Sequence, residues 1–390
     1  MSTTKVTDSL RTVTAVDGSK ITTGTIPEAR IAALAASKLT GALPAISGAS
    51  LTNLPSEITK STSEPTATTN PSGGVGTVYL RTTTGEIYCC TDATTNSNVW
   101  TNIGDGSGNQ PETYMSATGG TITTDGSYKV HTFNSSGTFT ATIGTVPSVA
   151  DKVDYLVLAG GGSGGYAIGG GGGAGGYRTA TSFAVTTQAY TITVGAGAGV
   201  AATNTAGGNG TNSTFSSITS AGGGQGGNNN IPLAGQAGGS GGGGNGSGTN
   251  AGGAGNSPST SPVQGYAGGS GFGNAVFRGG GGGGAGAVGT TTTSVNNAAG
   301  GGIGGAGLAS SITGSSVTRG GGGGAGNHSG GYNSGPGAGG AGGGGAGVQT
   351  GNGNAGTVNT GGGGGGGQVT NGQGGAGGSG VIIIRYQFQA

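Results

Sequence analysis

The segment Asp154-Tyr155-Leu156-Val157-Leu158-Ala159-Gly160-Gly161-Gly162 joins an apolar strand pattern directly to the first of a series of glycine runs. The clearest later runs are residues 169–173, 241–244, 279–284, 320–324, 342–345 and 361–367. A second apolar strand pattern, residues 381–386, follows the last run. Glycine-rich composition is typical of flexible linkers or disorder, but the two flanking strands predict a folded glycine-rich domain.

The composition of the chain changes near residue 150. Of 104 glycines in 390 residues, 16 lie in residues 1–150. Charged residues make up 6% of the chain, against about 25% in an average protein, and the net charge is +1. Because Lys and Arg do not cluster, we expect neither a nucleic-acid partner nor binding to an acidic membrane.

Residues 1–60 are predicted to form a thin N-terminal stem that anchors the chain. Apolar side chains recur there at irregular short intervals. Pro27 can begin a short helix that ends near Leu39. Residues 40–55 have the composition of an extended chain. One copy could not bury these side chains well, whereas three copies around one axis could. We therefore expect a homotrimer, with a flexible tether as the alternative.

Residues 61–110 are predicted to form a small β-hairpin module followed by a linker at residues 104–109. The segments with strand composition are residues 75–81, 86–92 and 99–103. The sequence Thr83-Thr84-Gly85 predicts the turn between the first two strands. We also expect Trp100 to pack against Tyr88.

Residues 111–390 are predicted to form a glycine-rich domain in two parts. A β-sandwich base comprises residues 111–200 and 381–390, and a bundle of glycine helices comprises residues 201–380. The strands predicted for the base are residues 120–123, 128–133, 138–143, 153–159, 183–185, 190–194 and 381–386. The predicted fold class is therefore mostly β, with an irregular N-terminal stem and small β-modules, followed by a β-sandwich that carries a bundle of polyglycine (polyproline II) helices.

The glycine runs suit the polyproline II conformation better than collagen, because glycine does not recur strictly at every third position and prolines number only 11. Ordering the backbone costs roughly 1–2 kcal/mol per residue, and glycine loses more than most residues. A net hydrogen bond returns about 0.5–1.5 kcal/mol. A single glycine helix is therefore unstable, and only a bundle whose inner helices bond several neighbours can be ordered; the alternative is disorder.

No motif predicts catalysis, a cofactor or a metal. The G-x-G-x-x-G matches in the glycine runs lack the strand–helix context of a dinucleotide site. His131 and His328 have no further ligands at metal-binding spacing, and His131 is expected to pack within a strand. The carboxylates are too few and scattered for a glycosidase pair. We therefore expect a non-enzymatic protein without cofactor or bound metal.

Side-chain chemistry in this domain is confined to the inserts between the glycine runs, and loops on a rigid scaffold can carry recognition. The inserts expected at the distal end are residues 228–233, 257–266, 272–278, 288–297, 310–319, 327–334 and 348–358. The candidate receptor-binding residues, chosen as aromatic faces and polar donors, are Tyr266, Phe272, Phe277, Arg278, His328 and Tyr332. The alternative is that the aromatic rings close the ends of the bundle.

Four segments in this order resemble the glycine-rich domain of phage tail fibres and tail-tip adhesins: residues 154–162, 171–177, 190–197 and 378–386. The likeness covers about residues 113–390. The adhesins of T-even-type phages are similar in using a sandwich of glycine polyproline II helices whose loops bind the host receptor. Residues 73–105 resemble a small β-module of phage fibres. T-even adhesins are monomeric caps on a separate fibre, whereas this chain carries its own stem, which implies a complete short fibre.

The resemblance implies a receptor-binding virion fibre made in the host cytoplasm. Its partners would be a host outer-membrane protein or polysaccharide and other phage tail or baseplate proteins. We expect no secretory signal in residues 1–10. We expect no membrane insertion, because the longest aliphatic run, residues 381–384, is too short to span a bilayer. The adjacent Cys89 and Cys90 predict no disulfide framework. The alternatives are a purely structural virion fibre or decoration protein, and an ice-binding glycine-helix protein, against which the bulky inserts argue.

Overall fold

A computed structural model describes residues 58–105, 113–146, 149–202, 207–229, 233–274, 276–293, 300–328 and 335–389. Residues 1–57 of the predicted N-terminal stem lie outside these ranges, whereas residues 59 and 60 belong to the first strand of the following sheet. The chain divides into two compact units, Met1–Ile103 and Gly104–Ala390. Within the described ranges the regular secondary structure consists of β-strands, without an α-helix, which confirms the prediction of a mostly β fold.

The described part of the first unit contains one four-stranded sheet. Its strands, in their order across the sheet, are β1 (Thr59–Ser61), β2 (Val78–Arg81), β3 (Glu86–Asp92) and β4 (Val99–Asp105). Strands β2 and β3 form the predicted hairpin, and Gly85 in its turn has a φ of 78°, which favours glycine. The ring centroid of Tyr79 lies 6.3 Å from that of Tyr88 and 5.5 Å from that of Trp100. Tyr79 therefore lies between the two rings that we expected to pack directly.

The glycine-rich unit contains the other described strands. They are β5 (Ser116–Thr118), β6 (Thr121–Asp125), β7 (Tyr128–Phe133), β8 (Gly137–Thr142), β9 (Lys152–Leu158), β10 (Tyr177–Ala184), β11 (Gln188–Thr193), β12 (Ser213–Phe215), β13 (Ile218–Ser220), β14 (Phe272–Asn274), β15 (Val276–Arg278), β16 (Leu308–Ser310), β17 (Val317–Arg319) and β18 (Val381–Gln387). Two five-stranded sheets, with strand orders β10-β9-β18-β7-β6 and β13-β12-β11-β8-β5, form the base of the unit. The two hairpins β14–β15 and β16–β17 belong to the glycine-rich inserts.

The sheet that contains β9 and β18 is buried on both faces. On one face, Val157, Ile382 and Ile384 belong to the core shared with the second sheet. On the other face, Leu158 and Ile383 pack in a second cluster that includes residues from the glycine-rich inserts. A strand buried on both faces has a continuous apolar sequence rather than an alternating one. This double burial explains why the two strands that flank the glycine runs are so apolar.

His131 packs inside the base, as the sequence predicts. Its side chain is fully buried, and its ring centroid lies 5.2 Å from that of Phe139 and 5.6 Å from that of Tyr386. Its Nδ1 donates a hydrogen bond of 2.7 Å to the carbonyl oxygen of Gly119. Burial lowers the pKa of this imidazole, and the positive charge of Lys129 acts in the same direction. The folded unit therefore favours neutral His131.

We expect the glycine-rich unit to lose stability as the pH falls below about 6.5, the ordinary pKa of histidine. Below that pH the unfolded chain protonates at His131, whereas the folded chain, whose pKa is lower, does not. The stabilisation is therefore complete above the unfolded-state pKa and decreases towards the folded-state pKa. Urea unfolding at about pH 7 and about pH 5 measures this loss. In the variant His131→Gln, the decrease in unfolding free energy between about pH 7 and about pH 5 should be smaller. If the variant kept the pH dependence of the unchanged protein, protonation of His131 would not be its cause.

Backbone hydrogen bonding in the glycine runs repeats at every third residue. Each successive N–H of residues 170–176 donates to a different neighbouring segment, and the same neighbour returns three residues later. In order, the acceptors are the carbonyl oxygens of Gly227, Gly280, Gly364, Gly224, Gly283, Gly361 and Ala221. These N···O distances lie between 2.7 and 3.0 Å. A three-residue repeat without bonds inside the run is the arrangement expected of packed polyproline II helices.

The run at residues 361–367 is surrounded on all sides by other segments of the same unit. Its N–H groups donate to three neighbours, and its carbonyl oxygens accept from three others. The three acceptor segments are represented by Gly321, Gly162 and Asn354, and the three donor segments by Gly172, Gly345 and Gly375. Residues 169–176, 240–245, 279–284 and 320–326 have the same type of environment. We call these five segments the inner runs; their packing is hexagonal.

The close approach of the backbones is what requires glycine in the inner runs. A Cβ atom built on Gly363 would clash with the carbonyl oxygen of Gly172, and one built on Gly323 would clash with that of Gly364. The hydrogen-bonded neighbours leave no space for a side chain in these directions. The long glycine runs therefore follow from packing distance rather than from a need for flexibility.

The bundle has two chemically different ends. At its basal end, Ala159 follows β9 and Gly176 precedes β10, so the glycine backbone continues from the sheet. At the opposite end, which we call the distal tip, residues 166–168 connect two runs that extend in opposite directions. Six residues at about 3.1 Å per residue separate the two ends by about 19 Å.

The structure places two of the inserts expected at the tip at the basal end instead. Within residues 257–266, the carbonyl oxygen of Gln264 accepts from the N–H of Tyr177 at 2.8 Å. Within residues 310–319, Ile312 packs in the same buried cluster as Leu158. The prediction was wrong for these two inserts because consecutive runs alternate in direction, so successive inserts fall at opposite ends.

The sandwich and the bundle also interleave along the chain. The runs at residues 160–165 and 169–176 take part in the bundle. Strands β12 and β13, which follow them in sequence, belong to the second sheet of the base. The sheet and the bundle are thus built together rather than as consecutive halves.

Candidate functional site

Four of the six candidate residues lie together at the distal tip. Strands β14 and β15 pair Phe272 with Arg278. The N–H of His328 donates to the carbonyl oxygen of Phe277 at 3.3 Å, and the centroids of their rings are 5.8 Å apart. Both Phe rings are partly exposed, whereas Arg278 is 3% exposed. The hairpin and the segment after the run at residues 320–326 therefore form one surface on which Phe272, Phe277 and His328 are partly exposed, whereas Arg278 is buried.

The other two candidates do not join this surface in the described structure. Tyr266 lies near the basal end, where its N–H donates to the carbonyl oxygen of Gly284 at 3.1 Å. Its side chain is 38% exposed. Tyr332 lies outside the described residues. The group that the structure brings together is thus Phe272, Phe277, Arg278 and His328.

A buried asparagine that no sequence motif marks fixes the backbone beside this surface. Asn245 is fully buried, and its Nδ2 donates to the carbonyl oxygens of Ala167 and Ile168 at 3.0 and 3.1 Å. Ile168 has a φ of 56°, a conformation that β-branched residues rarely adopt. The hydroxyl of Tyr166 donates to Oδ1 of Asn371 at 2.6 Å. These contacts make the tip a defined structure rather than a set of loose turns.

A cavity of about 260 Å³ opens at the tip beside Arg278. Its lining residues are Arg278, Thr290, Thr291, Thr292, Thr293, Gly300, Gly301, Ile303, Gly335, Pro336 and Ala338. The hydroxyl of Thr292 lies 3.2 Å from the carbonyl oxygen of Arg278 and 3.3 Å from that of Ser270, so it ties the cavity wall to the hairpin. The threonine run was the only sequence signal for this cavity, and threonine is too common in this chain to be distinctive.

A family model described as a glycine-rich domain matches residues 132–387, which include strands β8 to β18 and the whole bundle. The chain belongs to this glycine-rich domain family. No curated protein is significantly similar to it in sequence.

The glycine-rich domain has an unusual charge distribution. Asp154 is the last acidic residue in the sequence, so residues 155–390 contain no Asp or Glu. The basic residues in this part are Arg178, Arg278, Arg319 and Arg385. Burial lowers the pKa of the Arg319 guanidinium. The side chains of the bundle therefore contribute only neutral or positive charge.

No group of three or more His, Cys, Asp or Glu side chains among the described residues could hold a metal ion. Nor do those residues contain a helix long and apolar enough to cross a membrane.

Proposed function

We propose that this chain is a non-enzymatic bacteriophage fibre protein that attaches the virion to the host cell surface through the distal tip. The observation that supports the proposal is the separation of roles along the bundle. The inner runs carry only backbone and small side chains, whereas Phe272, Phe277, Arg278 and His328 converge at one end. A rigid scaffold with recognition side chains at one end suits an adhesin.

The proposal includes the partners of such a fibre. Residues 1–60 would join it to other phage tail or baseplate proteins and hold three copies together, and the tip would contact an outer-membrane protein or polysaccharide. Neither nucleic acid nor membrane insertion is part of this function. Light scattering on the purified full chain measures the oligomeric state, and a monomer would contradict the trimeric stem.

Cell binding tests the adhesin proposal. We expect labelled full-length protein to bind bacteria of a susceptible strain, and the double variant Phe277→Ala, His328→Ala to bind at least about tenfold more weakly, since aromatic residues at an interface centre commonly contribute 2 kcal/mol or more. Tyr266→Ala is the matched control, because Tyr266 is a partly exposed aromatic residue at the basal end. It should bind as the unchanged protein does.

The second candidate function is a structural fibre or decoration protein without a specific receptor. The small, partly buried Phe277–His328 pair would then serve only to close the bundle. That function predicts no cell binding by the intact protein across a panel of strains that includes the phage host. It also predicts that the double variant lowers thermal stability, because the two rings would then serve to close the bundle.

A further inference from the structure

We infer that one face of the four-stranded sheet in the first unit packs against the same face of other copies of this chain. This inference rests on the trimeric stem of the proposed function, and it adds a second contact surface to that stem. The face, which we call the open face, carries the side chains of Val78, Leu80, Ile87, Cys89, Val99 and Ile103.

The alternation of side chains along the strands defines the two faces of this sheet. Tyr79 pairs in register with Tyr88, and the ring centroid of Trp100 lies 5.5 Å from that of Tyr79, so the three rings share one face. Successive side chains of a strand point to opposite faces, so the sequence neighbours of these residues lie on the other face. The hydroxyl oxygens of Thr91 and Thr101, which are 3.1 Å apart, agree with this assignment for β3 and β4.

The face with the aromatic rings is covered by a segment of the same copy. The hydroxyl of Tyr79 donates to the carbonyl oxygen of Ser63 at 2.9 Å. The Nε1 of Trp100 donates to the carbonyl oxygen of Thr69 at 3.1 Å. Residues 63–69 therefore close this face, which we call the closed face.

The open face exposes apolar side chains instead. Val99 and Ile103 are each 50% exposed, and Ile87 is 38% exposed. Val78 and Leu80 on the neighbouring strand are only partly buried. A contiguous apolar surface of this kind marks a site of protein interaction more often than isolated exposed residues do.

Charge is distributed unequally between the two faces. Arg81 and Glu86 lie on the closed face, each two residues from a ring of the Tyr79–Tyr88 pair, and form an ion pair of 2.7 Å. Among the described side chains of the open face, Lys60 is charged, and it lies on the edge strand β1. The centre of a protein interface is typically depleted in charged residues. The open face therefore suits a partner surface that is also apolar, as the same face of another copy is.

The position of β1 in the chain favours further copies as that partner. Strand β1 begins at Thr59, almost directly after residues 1–57 of the predicted stem. At about 3.3 Å per residue, the first residues of β1 lie within about 10 Å of the end of the stem. A stem of three chains therefore brings three copies of this sheet together.

The size of the open face shows what it can contribute. Four strands about 4.8 Å apart span about 19 Å, and seven residues of β3 extend about 23 Å. The face thus offers about 400 Å², whereas a stable interface buries about 800 Å² on each partner. The open face therefore adds to the contact of the stem and does not hold separate copies together by itself.

Cross-linking through Cys89 tests this inference in the full-length protein. Cys89 has a free, partly exposed thiol on the open face, whereas the thiol of Cys90 is buried. Packed sheet faces lie about 10 Å apart, so a bis-maleimide reagent of about that length should join two copies into a covalent dimer on a denaturing gel. Cys89→Ser should abolish this dimer, which excludes a contribution from Cys90.

Two variants test whether the faces pack. Val99→Glu should lower the yield of covalent dimer at least about fivefold, because an unpaired carboxylate is costly to bury in an apolar contact. Val75→Glu is the matched control, since Val75 is an exposed valine of the same unit outside the strands, and it should leave the yield unchanged. If Val99→Glu does not fold, Ile87→Ser is a milder change on the same face and should lower the yield several-fold.

Light scattering on the same samples separates this inference from the proposed function. A trimer whose Cys89 thiols are not cross-linked would overturn the inference and leave the trimeric stem standing. A trimer that is cross-linked equally well with Val99→Glu or Ile87→Ser would also overturn it, because the faces would be near each other without packing. A monomer would contradict the stem and the inference together, and the adhesin proposal would still be decided by cell binding.

Discussion

Gly363→Ala is expected to destabilise the glycine-rich unit by about 3 kcal/mol or more, because the added methyl group has no space. The Cβ would clash with the carbonyl oxygen of Gly172 inside the hexagonal packing. Relief would require the two runs to separate, and both runs have hydrogen-bonded neighbours on their other sides. The loss is a large fraction of the usual 5–15 kcal/mol of a folded domain. Urea unfolding followed by circular dichroism measures it.

The matched control is Gly199→Ala in the same unit. Gly199 is exposed, and a Cβ built on it meets no atom within 4 Å. Alanine also restricts the unfolded chain, which by itself stabilises a protein by about 0.4–1 kcal/mol. We therefore expect Gly199→Ala to be neutral or slightly stabilising. If the two variants behaved alike, the inner runs would not be closely packed.

Phe215→Ala is expected to destabilise the unit by about 3–5 kcal/mol, the usual cost of removing a fully buried aromatic ring. Phe215 is completely buried in the core between the two sheets. Its ring centroid lies 6.1 Å from that of Phe139, 5.6 Å from that of Tyr190 and 5.8 Å from that of Phe183. The cavity left by alanine would therefore remove contacts with strands of both sheets.

Phe277→Ala provides the comparison for this variant, because Phe277 is a partly exposed phenylalanine at the distal tip. We expect its stability to change by less than about 1 kcal/mol, as is usual away from the core. Thermal unfolding of Phe215→Ala and Phe277→Ala under the same conditions measures the difference between their stability losses. If Phe277→Ala lost as much stability as Phe215→Ala, the ring of Phe277 would support the fold. Its assignment to receptor recognition would then be weaker.

The base of the glycine-rich domain could be predicted closely from the sequence. The pattern of Tyr128, Val130 and Thr132 matches β7, and the predicted strand at residues 381–386 matches β18. These strands were predictable because apolar and β-branched residues in short runs between turns have few other structures available. The balance of backbone entropy against hydrogen bonding likewise predicts that the glycine runs are ordered only as a bundle.

The position of the inserts could not be predicted, because the direction of each run depends on its neighbours in space. Tyr266 and Phe272 are six residues apart in sequence, yet they lie towards opposite ends of the bundle. Glycine runs have no side-chain periodicity from which a direction could be inferred. For the same reason Asn245, which fixes the tip through two backbone carbonyls, looks in the sequence like any other turn residue.

Amide hydrogen exchange of the inner runs tests most directly the central claim that the glycine segments form a rigid scaffold. Each N–H of residues 363–367 donates to a carbonyl oxygen of a neighbouring segment. Opening one of these bonds requires separation of a hexagonally packed run, so exchange should require near-global unfolding. We expect these glycines to exchange as slowly as the buried strand β18. Exchange at the rate of an unstructured glycine peptide, with β18 still protected, would contradict the account.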